Sequence, residues 1–141
     1  MKPAFLAALL SAWSFLAAAE STILIENAWV REAPPTAHMM AAYMTMKNIG
    51  NNEAVLVDVE SPAFKHVMLH KSEVVDGVAR MPHQDEIIIP ALGSVELKPG
   101  SFHLMMPAPE ARLTEGDSVE FVLTFSDGSK IMVEADVRKK H

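Results

Sequence analysis

The chain has 141 residues, half of them apolar, with twelve Lys and Arg against eighteen Asp and Glu and a formal charge of −6. This is enough for one globular domain with a sizeable core and leaves little room for two, while the acidic balance argues against a nucleic acid or an anionic membrane as partner. No cysteine is present, which excludes disulfide staples and thiolate chemistry and leaves any soft-metal binding to Met and His.

At the N-terminus, Lys2 precedes an apolar run over residues 5–16 and then Ala17-Ala18-Ala19. That is the pattern of a secretory signal peptide over residues 1–19, cut before Glu20, and about a dozen apolar residues falls short of the roughly twenty that span a bilayer. Cleavage leaves eleven basic and eighteen acidic residues, a formal charge of −7, in a single domain over residues 20–141 that is soluble and exported to the periplasm. The later apolar run Ile87-Ile88-Ile89 stops at Pro90, so no membrane span is expected after cleavage.

Short extended runs follow at residues 22–30, 40–48, 54–60, 65–75, 95–98, 101–106, 119–125 and 130–137. Turn chemistry separates them, notably at Pro34-Pro35, Ser61-Pro62, Asp76-Gly77, Leu92-Gly93, Pro99-Gly100 and Asp127-Gly128. Many short strands with almost no helical periodicity predict an all-β antiparallel β-sandwich. Alternation puts Phe121, Leu123 and Phe125 on the core face, and Trp29, Tyr43 and Phe64 are expected to pack rather than to form a binding platform.

His70, Met81, His103 and Met105 carry the chemical signal. Ten residues separate the first two, twenty-one the middle two, and Leu104 alone the last two. Imidazole and thioether together suit Cu(I), whereas Ca²⁺ and Mg²⁺ want oxygen and zinc sites are completed by thiolate, carboxylate or water. A two-residue hairpin loop at Asp76-Gly77 would pair Val75 with Val78, Ser72 with Met81 and His70 with His83, making Met81 a diagonal neighbour of His70 at roughly 7–8 Å. His103 and Met105, two apart in a strand, point the same way.

Other soft residues lie nearby. His66 and Met68 share the face of His70 if residues 65–70 form a regular strand, Met106 faces away from Met105, and His83 neighbours the set through the hairpin pairing. The cluster His38, Met39, Met40, Met44 and Met46 is expected to be strand packing, because no second element supplies convergent ligands.

In the frame Val67-Met68-Leu69-His70, Arg80-Met81-Pro82, residues 95–100 and Phe102-His103-Leu104-Met105, with Ala28-Trp29-Val30-Arg31 and Ala41-Ala42-Tyr43-Met44 upstream, the chain resembles the periplasmic copper chaperone family that serves the CuA centre of cytochrome c oxidase, the PCuAC type. The resemblance implies a cupredoxin-like, immunoglobulin-like Greek-key sandwich that holds one Cu(I) through His70, Met81, His103 and Met105. It also implies transient transfer from a monomer to an apo oxidase copper-centre subunit or another copper-assembly protein. Some members carry a His- and Met-rich tail that binds Cu(II); here Arg138-Lys139-Lys140-His141 offers little of that kind, and His141 is expected to be a solvated terminus.

Copper buffering or resistance through the same four residues is the alternative function, and a metal-free adhesion module the more distant one. An enzyme is not expected, because a cysteine nucleophile, a phosphate loop and a Gly-x-Ser-x-Gly elbow are all absent. Because imidazole must be neutral to ligate, Cu(I) affinity is expected to fall below roughly pH 6.

Overall fold

A computed structural model describes residues 22–139, and the signal peptide, its cleavage site and His141 lie outside the described residues. The described part is all β: β1 (Ile23–Arg31), β2 (Met39–Asn48), β3 (Ala54–Glu60), β4 (Met68–Lys71), β5 (Glu73–Val75), β6 (Val78–Arg80), β7 (Ile87–Ile89), β8 (Ser94–Leu97), β9 (Phe102–Pro107), β10 (Ser118–Phe125) and β11 (Lys130–Arg138). Nine strands make one sheet in the order β4-β9-β2-β1-β11-β10-β3-β7, with β8 also on β2, and β5 and β6 pair separately. The sheet curls nearly into a barrel, the cupredoxin-like sandwich that the family resemblance implies.

Residue alternation sorts the two faces. Phe121 and Leu123 are fully buried and Phe125 nearly so, as their two-residue period requires. Through the site region, the registers Leu69↔Leu104, Leu104↔Ala42, Ala42↔Val30 and Val30↔Val137 form one buried row across five strands. Each flanking residue in these strands then points to the opposite face.

Three expectations are corrected. The extended run at 65–75 becomes two strands that start at Met68 and break at Ser72. The expected Ser61-Pro62 turn forms just before it: Phe64 N–H donates to the Ser61 carbonyl at 3.3 Å, Ser61 Oγ donates to the Glu120 carbonyl at 2.6 Å, and Phe64 stacks on Phe121 with ring centres 6.2 Å apart. At Ser72 the chain leaves the large sheet for the hairpin. Second, β1 and β11 pair in parallel within an otherwise antiparallel sheet. Third, β7 is a strand on β3 through Ala54↔Ile89 and Leu56↔Ile87; three residues are too few for a periodic signal.

The Asp76-Gly77 hairpin forms with the expected register, Val75↔Val78, Val74↔Ala79 and Glu73↔Arg80. Both loop residues have positive φ, 52° at Asp76 and 77° at Gly77, the requirement of a type I′ turn. A Cβ on Gly77 would meet nothing within 4 Å, so Gly77→Ala carries only the backbone penalty. It is expected to lower stability by about 1–2 kcal/mol, read as a shift in urea midpoint at unchanged m-value.

Candidate metal centre

His70 sits on β4 between two other histidines. On one side the β4–β9 register sets it directly opposite His103, with Met68 opposite Met105 in the next row of that face. On the other side His70 bridges to His83. Lys71 N–H donates to the Pro82 carbonyl at 3.3 Å and Gln84 N–H to the Leu69 carbonyl at 2.8 Å, so the His70–His83 pair is of the non-hydrogen-bonded kind, in which side chains approach most closely. The isolated His70–His83 bridge keeps the register of the Val75–Val78 hairpin across the break at Ser72, and that register sets Met81 opposite Ser72 and diagonal to His70.

The imidazole rings are close enough to share an ion. His70 and His103 have ring centres 5.9 Å apart, and so do His70 and His83. With metal–nitrogen bonds of about 2.0–2.1 Å, two imidazoles on one ion have ring centres roughly 4.5–6.3 Å apart as the angle at the metal opens. Among the described residues no three His, Asp or Glu side chains converge as a metal cluster.

A Pro-Gly turn aims His103. Ser101 N–H donates to the Lys98 carbonyl at 3.0 Å with Gly100 at φ 81°, the geometry that Pro second and Gly third favour. His103, only 4% exposed, lies 3.0 Å through Nδ1 from the Ser101 carbonyl. An Nδ1–H donated there leaves Nε2 as the lone-pair nitrogen, the arrangement in which a second hydrogen bond orients a metal-ligating histidine. His70 Nδ1 is buried with no hydrogen-bond partner, and a buried polar atom of this kind asks for a ligand. The donor set therefore fits a soft ion.

Burial depresses the His70 pKa, the positive charges that His103 and His83 would carry lower it further, and the Met81 backbone partly opposes them. His70 thus stays neutral to lower pH than a free imidazole, so its protonation competes with a metal only below the ordinary histidine range. The sign for stability follows. Between the depressed pKa and 6.5 the unfolded chain binds more protons than the folded one, so stability is lost as pH falls through that window. The metal-free protein is expected to show a falling Tm from pH 7 towards pH 5, with a shallower fall in His70→Gln.

The remaining soft residues divide by face. Met40, Met44, Met46 and Met106 are core, buried to 5% exposure or less, as their alternation predicts. Met39, 40% exposed, and His38 lie at the surface. Met68 shares the face of His70, whereas exposed His66 precedes β4 and lines a cavity of about 470 Å³ with Phe64, Lys65 and Asp58, away from Met81 and Met105. Met81 is 55% exposed and Met105 half-buried. Phe64, Trp29 and Tyr43 are all buried, as expected of packing residues, and Trp29 and Tyr43 meet at a tilt with ring centres 4.7 Å apart, under the Arg31 guanidinium at 5.8 Å from each ring. Tyr43, Ala41 and Met105 border a shallow apolar depression of about 210 Å³. The Trp29↔Tyr43 register that makes this ring contact is a long-range fact with no local signal.

A curled all-β sheet with three imidazoles set side by side across one edge strand, next to an edge hairpin, defines the class of domain. The LpqE-like family model, which describes candidate lipoproteins, matches residues 23–137. The chain belongs to this family. A candidate lipoprotein of Leifsonia xyli subsp. xyli is 32% identical over 117 residues, covering 82% of this chain and 69% of that protein. The solution structure of Cu(I)-DR1885 from Deinococcus radiodurans is 28% identical at a TM-score of 0.66, covering 89% of this chain and 83% of its own. The copper-bound PCuAC domain from PmoF2 superposes at a TM-score of 0.69 with 24% identity, over 84% of this chain and 93% of that one, and bears on the fold. No helix among the described residues is long and apolar enough to cross a membrane.

Proposed function

We propose that this protein is a periplasmic copper chaperone that holds one Cu(I) through His70, Met81, His103 and Met105 and delivers it to the copper centre of a respiratory oxidase. The observation that carries the reading is the His70–His103 pair, one ring with an orphaned buried nitrogen and the other with Nδ1 beside a backbone carbonyl. Similarity to a protein solved in its Cu(I) form supports the choice of metal, and the signal-peptide pattern supports the compartment.

Neutral imidazole and thioether leave the loaded centre at +1, without the attraction a thiolate would add, so binding favours capture and exchange together. Met81, exposed on the hairpin side, is the donor nearest an approaching acceptor and His103 the most buried one, and the ion passes on by stepwise replacement of ligands. Each replacement moves no electron and no proton, because imidazole ligands are neutral and thioethers do not titrate.

The test is anaerobic Cu(I) titration against a chromophoric chelator, followed by mixing with an apo oxidase copper-centre subunit. One tight equivalent and transfer faster than spontaneous release are expected. Binding without accelerated transfer would favour copper buffering, and no binding would sink the copper reading.

A further inference from the structure

The three histidines form a graded series from interior to solvent. His103 is 4% exposed, His70 is half-buried, and the His83 side chain is 58% exposed, with His70 at the same 5.9 Å ring spacing from each neighbour. His83 and His103 flank opposite edges of β4, and the three rings do not gather as one cluster. His70 can therefore share an ion with His103 or with His83. Strand alternation adds a thioether to each arrangement: Met105 two residues beyond His103, and Met81 two residues before His83.

We infer that His83 is an exit ligand, an outward imidazole onto which Cu(I) pivots about His70 on its way between the buried donors and a partner. This rests on the copper reading above. In the pivot a Cu–N bond to His83 forms while the bond to His103 breaks; His70 remains bound throughout, and neither electrons nor protons are transferred. The outward donors His70, Met81 and His83 then present the ion at the rim, where Asp85 Oδ1 lies 3.5 Å from His83 Nε2. Such a ligand changes the rate of exchange more than the equilibrium affinity, because it is engaged in the minor, outward arrangement.

The test compares wild type, His83→Ala and His83→Met. Cu(I) affinity is measured by anaerobic chelator competition, and the rate of copper loss to excess chelator by stopped flow. His83→Ala is expected to slow transfer at least fivefold with affinity changed less than threefold, and His83→Met, which restores a soft donor, to recover most of the rate. His83 meets its neighbours through backbone pairing and an exposed ring, so folding should be preserved, which a matching Tm verifies. An unchanged or faster transfer in His83→Ala overturns the inference. An affinity loss above tenfold also overturns it, by making His83 a resident ligand. If wild type binds no Cu(I), the copper reading and this inference fall together; if wild type binds and only the His83 effects are missing, the copper reading stands.

Discussion

Replacing His103 with Ala is expected to weaken Cu(I) binding by more than about a hundredfold, beyond the 10–100-fold typical of losing a group that merely orients a ligand. The reason is its burial and its Nδ1 contact with Ser101, which together preset one nitrogen for the ion before it arrives. Met81→Leu should cost less, about tenfold or more, because the exposed thioether is the most replaceable donor and Leu keeps its bulk. The two variants separate ligation from folding: Met81 is at the surface and cannot unfold the chain by cavity formation, whereas His103→Ala needs a circular dichroism control. If both retain wild-type affinity in the chelator competition, the four-residue centre is wrong.

The second large effect comes from a residue that touches no metal. Leu104 is fully buried between Leu69 and Ala42, in the core row directly behind the site, and it separates His103 from Met105 in β9. Leu104→Ala is expected to destabilise the protein by about 2–5 kcal/mol through lost burial and the cavity left behind. Ile88→Ala, at a position 47% exposed, should stay within about 0.5 kcal/mol. Urea denaturation of the metal-free proteins decides it, and a Leu104 cost no greater than that of Ile88 would mean that the row does not hold the two sheet edges together. Copper affinity of folded Leu104→Ala should also fall, since the β4–β9 register places His70 against His103.

Much of the centre is legible along the chain. A two-residue Asp-Gly loop leaves one comfortable hairpin register, and counting outward from it reaches His70–His83 without any tertiary knowledge. The burial of Phe121, Leu123 and Met106 follows from alternation in the same way. The strand expected at 65–75 begins only at Met68 and is interrupted at Ser72, where the chain passes from the large sheet to the hairpin, a change of partner that strand propensity does not register. His66 was lost to the face of His70 for that reason.

By itself, then, the sequence determined the short strands and their inner faces, the hairpin, and a donor set whose softness suits copper, since each of these depends on neighbours within a few residues. Only the tertiary structure decided that β4 lies against β9, that Trp29 packs on Tyr43, and that His103 is buried while His83 is exposed. Those are pairings between distant segments, selected by burial of the Leu69–Leu104–Ala42–Val30–Val137 row. Shifting that register by one residue would turn the same histidines and methionines into the core.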